Sequence, residues 1–248
     1  MDETLNLLVD KIWAKFLAAP QDRRFLIGIS GIPGSGKTTL SKRLTAALNA
    51  RHAASLPDAA ANPSQPVAIF VPMDGFHLTR AQLDQMPDPA LAHARRGAEW
   101  TFDGAGFARL VERLAEPAEG QLPRVLAPSF DHAVKDPKED DIAIEGHHRI
   151  VVLEGIYSLL SIPPWSSCIP RYSHTIFVRC PHSTARARLA ARHLEAGIVQ
   201  TLEEADRRAV ENDLTNGDEV LRLLREEDVH DFVDSVEDGG WASPSSEE

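Results

Sequence analysis

The chain is 248 residues long, carries a formal net charge of −11, and is 43% hydrophobic and 25% charged. This length and composition fit one domain with enough apolar side chains for a core. The acidic balance argues against a nucleic-acid-binding protein, because such proteins need basic surfaces to neutralise phosphates. Cys168 and Cys180 are too few for a disulfide framework, which favours a reducing compartment.

The first predicted element is an amphipathic helix over residues 3–18, where apolar side chains recur at helical spacing before Pro20. A short apolar strand follows at 25–29, then a glycine-rich loop and a helix over 37–50. Residues 51–66 are rich in Ala, Pro, Ser and Asn, which predicts a surface loop. No segment resembles a signal peptide or the roughly 20-residue apolar span of a membrane helix, so we expect a cytoplasmic protein.

Four further apolar runs of strand length follow, at residues 67–71, 124–127, 150–153 and 175–178. Helical patterns lie between several of them, for instance at 106–114. Short apolar strands that alternate with helices indicate a parallel sheet covered on both faces. The sequence therefore predicts a three-layer α/β fold with these runs and the 25–29 strand as its five strands.

The loop after the first strand has the spacing Gly-x-x-x-x-Gly-Lys-Thr, known as Walker A. Its glycines let backbone N–H groups approach phosphate oxygens, and the helix that follows directs its positive end at the same anion. The lysine can reach the β- and γ-phosphates, and the hydroxyl of the last residue can bind Mg²⁺. The predicted nucleotide-binding residues are Gly31, Gly34, Ser35, Gly36, Lys37, Thr38 and Thr39.

The loop alone is equally typical of GTPases, motors and transporter ATPases. The chain has no Asn-Lys-x-Asp motif for guanine, which argues against a switch GTPase. Two acids, Asp74 and Glu154, follow apolar strands, and ligands of open parallel sheets lie beyond the carboxyl ends of strands. With Thr38 they could surround Mg²⁺, and Asp74 could also accept the proton of an attacking hydroxyl. Each acid could instead be a helix cap or turn former.

These residues resemble the phosphoribulokinase/uridine kinase family of P-loop kinases, which includes uridine kinase, nicotinamide riboside kinase and bacterial-type pantothenate kinase. The resemblance covers roughly residues 25–215. It implies a P-loop NTPase fold with a five-stranded parallel sheet and a helical lid, and transfer of the ATP γ-phosphate to an alcohol. Its motifs are the loop at 31–38, the segments 74–77, 130–132 and 154–155, and an arginine-rich stretch after the fifth strand.

The resemblance also implies roles for single residues. Asp74 matches the family's catalytic base and Glu154 its second acid, while Arg188 and Arg192 match lid arginines that close on the phosphates. The segment 74–77, Asp-Gly-Phe-His, is nearer to pantothenate kinase than to uridine kinase, whereas 211–217 resembles a fungal branch with no assigned substrate. The acceptor is therefore expected to be a nucleoside-like or pantothenate-like alcohol.

The lid is predicted as two helices, over 183–196 and from Thr201 to about residue 214, ending near Asn216 and Gly217. Thr201 and Glu204 form a predicted capping pair at the start of the second helix. The polar side chains around 77–103 could grip an anionic or polyhydroxyl substrate, or belong to a surface helix and loop. The predicted substrate residues are His77, Arg80, Arg96 and His132.

We divide the chain into an N-terminal helix at 1–24, a kinase domain at 25–234 with its lid at about 183–215, and a polar tail at 235–248. The expected cofactors are ATP and Mg²⁺, and the expected partner is a small-molecule alcohol rather than nucleic acid or membrane. A homodimer is one possible oligomeric state. Two alternatives remain for the function: an ATPase that couples hydrolysis to conformational change, and a regulatory protein that senses nucleotide.

Overall fold

The computed structural model describes residues 2–56 and 65–235, and the account below concerns these. Their strands are β1 (Phe25–Gly31), β2 (Ala68–Pro72), β3 (Val125–Asp131), β4 (Asp136–Ile144), β5 (Ile150–Glu154), β6 (His174–Arg179) and β7 (Asp231–Asp234). Their α-helices are α1 (Asp2–Ala18), α2 (Lys37–Ser55), α3 (Arg80–Leu83), α4 (Pro89–Ala94), α5 (Gly104–Ala115), α6 (His182–Glu195), α7 (Leu202–Arg208) and α8 (Thr215–Leu223).

The central sheet is parallel and has the strand order β2-β5-β1-β6-β7. Strands β1 and β5 are buried along their whole length, as continuous apolar runs predict. One face packs against α1 and α2 and the other against α5, with an apolar core on each side. This confirms the predicted three-layer α/β fold with a five-stranded parallel sheet.

One predicted member of that sheet is wrong. The run at 124–127 lies in β3, which pairs antiparallel with β4 in a separate two-stranded sheet. The fifth strand of the central sheet is instead β7, whose four residues, Asp-Phe-Val-Asp, contain only two apolar side chains. The sequence of β4 is dominated by exposed charged residues, so it carries no apolar run that could have revealed a hairpin.

Helix α1 is where the periodicity predicts it, and its apolar side chains pack on the sheet. A polar cluster, called the clasp here, ties it to β6 and to the edge strand β7. Lys11 Nζ lies 2.6 Å from Asp231 Oδ1, and Lys15 Nζ lies 3.0 Å from His174 Nδ1. The other ring nitrogen of the fully buried His174 donates to Asp231 Oδ2 at 2.7 Å. The clasp therefore joins the first helix to the last strand.

Several predicted boundaries differ from the structure. Residues 51–55 of the predicted loop belong to α2, and 57–64 lie outside the described residues, as does the predicted tail beyond Ser235. The lid does not end near Gly217, because a π-helical stretch (Ala209–Leu214) carries the chain from α7 into α8 without a break. No helix within the described ranges has the length and hydropathy that crossing a bilayer requires.

Candidate active site

The glycine-rich loop connects β1 to α2, as its sequence predicts. Gly34 and Gly36 have φ values of +77° and +87°, which other residues rarely adopt. A Cβ on Gly34 would lie 2.7 Å from the carbonyl oxygen of Ala185, so the loop also leaves no room for a side chain beneath the lid. No side chain caps α2, and an anion can satisfy the amide groups of such a first turn.

The polar side chains of the loop converge on the end of β5. Lys37 Nζ lies 4.0 Å from Glu154 Oε1, and Thr38 Oγ1 donates to Glu154 Oε2 at 3.2 Å. Ser35 is fully buried, and its hydroxyl has no hydrogen-bond partner among the described residues. Gly31 ends β1, and Thr39 lies in the first turn of α2. The predicted nucleotide-binding residues therefore form one continuous site.

Glu154 is the last residue of β5 and is only 5% exposed. Burial raises the pKa of its carboxyl to about 7, against the opposing effect of the Lys37 ammonium and with a further contribution from the Asp74 carboxylate. The Lys37 ammonium does not fully offset the cost of burying this carboxylate, so a second cation nearby would stabilise its ionised form. The arrangement is typical of functional sites, where strongly shifted pKa values collect.

Asp74 lies in a 3₁₀ turn (Met73–Phe76) directly after β2. Pro72, at the end of β2, is in register with Glu154 on the neighbouring strand, so both acids lie at the same edge of the sheet. The Asp74 side chain is exposed to solvent, unlike that of Glu154. One acid is therefore buried beside the phosphate loop, while the other is open to solvent.

The oxygen atoms of Thr38, Asp74 and Glu154 fit the chemistry of Mg²⁺, which prefers carboxylate and hydroxyl ligands. No group of three or more His, Cys, Asp or Glu side chains within the described ranges could hold a metal alone. Mg²⁺ usually keeps several waters and binds one or two carboxylates together with substrate phosphates, and two acids and a hydroxyl are compatible with this mode of binding.

Helix α6 brings the predicted lid arginines toward the loop. Arg188 Nη1 lies 3.3 Å from the carbonyl oxygen of Gly34 and 2.7 Å from Ser235 Oγ. Arg192, one turn further along the same face, is exposed. The capping box of Thr201 and Glu204 is formed as predicted and begins the second lid helix. The structure thus places Arg188 directly against the phosphate loop and Arg192 beyond it.

The four predicted substrate residues gather around the β3–β4 hairpin. The His77 ring lies 4.0 Å from Phe102 and 5.0 Å from Phe130, measured between centroids. His77 Nδ1 lies 2.8 Å from the backbone oxygen of Asp74, and burial lowers the pKa of this ring below its ordinary value. His132 is exposed, with its ring centroid 5.3 Å from that of Phe130. Phe130 therefore joins both histidines, a role that the sequence analysis missed.

Arg96 is largely engaged by the protein itself. Its Nη2 lies 2.8 Å from both Leu78 O and Asp136 Oδ1, and its guanidinium lies 5.6 Å from the Phe130 centroid. The exposed Arg80 contributes its backbone N–H to Asp136 Oδ1 at 2.9 Å. Asp136 thus holds both predicted substrate arginines to the hairpin, and nothing in the sequence pattern singled it out.

No model of a known protein family matches the chain. An ATP-dependent kinase-like protein of Aspergillus versicolor is 50% identical over 150 residues, which cover 60% of this chain and 87% of that protein. A protein of Schizosaccharomyces pombe, provisionally named a uridine kinase, is 43% identical over 194 residues, covering 78% of this chain and 77% of its own.

A crystal structure from Silicibacter sp. TM1040, provisionally assigned as a fructose transport system kinase, superposes with a TM-score of 0.76. It is 32% identical and covers 92% of this chain and 98% of its own. The chain belongs to the uridine kinase-like family of P-loop kinases, in a branch with fungal members.

Proposed function

We propose that this P-loop kinase transfers the γ-phosphate of ATP to a hydroxyl group of a small metabolite, with Mg²⁺ as cofactor. The observation that carries the proposal is the meeting of Lys37, Thr38, Glu154 and Asp74 at one edge of the sheet. The names of the relatives support ATP as the phosphate donor. The proposal places the alcohol on the open side of Asp74.

The phosphate loop and Lys37 bind the phosphates of the nucleotide. The loop supplies backbone N–H groups and the positive end of α2, and Lys37 supplies a cation beside the β- and γ-phosphates. Arg188 lies against the loop, and Arg192 follows one turn later, so closure of the lid brings guanidinium groups over the transferred phosphate. Charge that develops during transfer is stabilised and water is excluded from the site.

Thr38, Asp74 and Glu154 would hold Mg²⁺, which when bound neutralises charge on the phosphate oxygens. Glu154 suits this role because burial raises its pKa to about 7, so its ionised form gains from a neighbouring cation. Its hydrogen bond from Thr38 Oγ1 keeps both oxygen ligands in one orientation. In this proposal the phosphates and Mg²⁺ lie on one side of Asp74, and the alcohol lies on the other.

Asp74 is the proposed general base. It accepts the proton of the attacking hydroxyl while the acceptor oxygen forms a bond to the γ-phosphorus and the bond to the β-phosphate oxygen breaks, releasing ADP. The hydrogen bond between His77 and the Asp74 backbone oxygen helps to fix this turn. His77, Arg80, Arg96 and His132 stay our proposed acceptor residues, with the two arginines acting chiefly through the hairpin that they hold.

The test measures ADP release with a panel of alcohols that includes nucleosides, pantothenate and sugars, for wild type and Asp74→Asn. At least one alcohol should raise ADP release well above the rate without acceptor, and Asp74→Asn should lower that transfer about 100-fold or more. Asp10→Asn, which alters an exposed acid on α1, is the matched control. Fast hydrolysis that needs no acceptor and survives Asp74→Asn would identify an ATPase instead.

A further inference from the structure

A polar cavity lies between the segment at Arg95 and the tip of the lid. This lid pocket has a volume of about 670 Å³ and is lined by residues 94–95, 198–200, 204, 207–208 and 211–212. Three of its lining side chains are arginines, Arg95, Arg207 and Arg208. The active-site geometry described above uses none of them.

Two buried polar atoms in this pocket have no partner. Arg208 Nε and Asn212 Oδ1 are both inaccessible to solvent and make no hydrogen bond to any described residue. Asn212 as a whole is only 8% exposed. An unsatisfied buried donor and acceptor carry a desolvation cost, and a ligand with both kinds of group would remove it if the two side chains turned toward the pocket. The donor requires an acceptor oxygen, and the amide can pair with a hydroxyl group.

The charges of the pocket favour an anion. The lining includes three arginines and only two acids, Glu204 and Glu211. The Glu204 carboxylate is already engaged, because its Oε2 accepts from the backbone N–H groups of Gln200 and Thr201. A guanidinium group can donate two parallel hydrogen bonds to two oxygens of a carboxylate or a phosphate, so the pocket is suited to the acid group of a ligand.

The walls of the lid pocket are continuous with both sides of the active site. Arg95 donates to Asn216 Oδ1 at 2.8 Å and to Glu211 O at 2.9 Å, which joins the acceptor-side segment to the lid. Gly217, the next residue, packs so closely on the phosphate loop that a Cβ there would lie 3.2 Å from Ile32 Cβ. On the other side, Arg96 follows Arg95 and donates to Leu78 O beside His77.

We propose that the lid pocket binds the acid group of the phosphate acceptor, so that the acceptor is an anionic, hydroxylated metabolite rather than a neutral nucleoside; this rests on the kinase function proposed above. Arg208 binds the carboxylate or phosphate, assisted by the N–H groups of Arg95 that its two protein partners leave over. Asn212 pairs with a neighbouring hydroxyl, and a second hydroxyl is the one that is phosphorylated. A neutral ligand leaves the Arg208 Nε–H without an acceptor and is discriminated against accordingly.

The test is a binding measurement by calorimetry on the full chain with Mg²⁺ and a non-hydrolysable ATP analogue, so that it does not depend on turnover. Three sets of matched probes differ in the acid group: glycerol, glycerate and glycerol 3-phosphate; panthenol and pantothenate; sorbitol and gluconate. In at least one set, the acid should bind about 10-fold more tightly than its neutral counterpart, as expected for a charge-assisted hydrogen bond. Glycerate against glycerol 3-phosphate distinguishes carboxylate from phosphate recognition.

Arg208→Gln should abolish this preference, whereas Arg186→Gln should retain it. Arg186 lies on the same lid but outside the pocket, where it pairs with Asp206. Asn212→Asp is a second, nearly isosteric variant that should weaken the acids selectively by adding a like charge, and melting temperatures establish that each variant is folded. The inference is overturned if no acid binds more tightly than its neutral counterpart, or if the preference survives both pocket variants.

This outcome is separable from that of the proposed function. A neutral alcohol that is phosphorylated efficiently, without any preference for acids, would leave the kinase intact and overturn the acid pocket. A preference for acids that Arg208→Gln removes, combined with no transfer to any alcohol, would support the pocket and overturn the proposed chemistry.

Discussion

Replacing Glu154 by Gln should make the protein more stable and less active, and the structure provides the magnitude. Burial raises the pKa of this carboxyl from 4.5 to about 7. One pKa unit corresponds to about 1.4 kcal/mol, so the buried carboxylate destabilises the metal-free fold by about 3 kcal/mol at pH 8. Because folding raises the pKa of Glu154, this residue does not lower the free energy of unfolding below pH 4.5. The free energy of unfolding then decreases as the pH rises through 7 and the buried carboxyl ionises. Gln cannot ionise and escapes this loss.

The assay is thermal unfolding in EDTA at a series of pH values. At pH 8 the variant should melt roughly 5–10 °C above wild type, and near pH 4.5 the two should melt together. Mg²⁺ with ATP should raise the melting temperature of wild type more than that of the variant, while turnover falls. A variant that is less stable than wild type at pH 8, or a difference that does not change with pH, would refute the reasoning.

Three further predictions concern the loop, the lid and the clasp. Lys37→Ala should abolish phosphoryl transfer and have a far smaller effect on the melting temperature. The test measures kcat and thermal unfolding of the same variant, and unchanged turnover would show that Lys37 is not part of the active site. Arg192→Ala should lower kcat with little loss of stability, because the side chain is exposed, and a large drop in melting temperature with normal kcat would contradict this. Burial lowers the pKa of His174 to about 4, with the Lys15 ammonium adding to the effect, so wild type should lose stability as the pH falls from 6.5 to 4. His174→Gln should reduce that pH dependence in urea unfolding, and an unaltered dependence would count against it.

The centre of this fold could be predicted because its sequence signals are local. A buried strand, a glycine loop and a helix follow one another without interruption between residues 25 and 55, and each has its own pattern. The proximity of Asp74 and Glu154 follows from topology, since neighbouring parallel strands end at one edge of a sheet. Periodicity and strand ends were therefore sufficient for this part of the site.

Strands β4 and β7 could not be predicted, because long-range pairing rather than a local pattern defines them. The charged residues of β4 form a strand only because β3 lies beside them, and β7 is a short edge strand that depends on β6. The lid continued through Gly217 because this glycine packs on Ile32 instead of ending a helix. A glycine can end a helix or can allow close packing within one. The sequence does not distinguish these two roles, whereas the tertiary contacts do.

The same limit applies to the acceptor side. Arg96 is a residue type that often binds anions, but its guanidinium group donates to Leu78 O and Asp136. Asn212 belongs to a recognisable segment, yet its burial beside Arg208 depends on the π-helical stretch of the lid. Residue type and spacing indicate which side chains can bind a substrate, whereas burial and existing partners decide which of them are available.

The clasp has a consequence for how the chain is made. Lys11 and Asp231 are separated by 220 positions, so at a synthesis rate of about 5–20 residues per second α1 emerges roughly 10–40 seconds before its partner strand. Lys15 can reach His174 once β6 has been made, but Lys11 has no Asp231 to pair with until β7 follows. Between the synthesis of β6 and that of β7, β6 is an unpaired edge of the sheet, so the nascent chain is most exposed to aggregation just before β7 is complete.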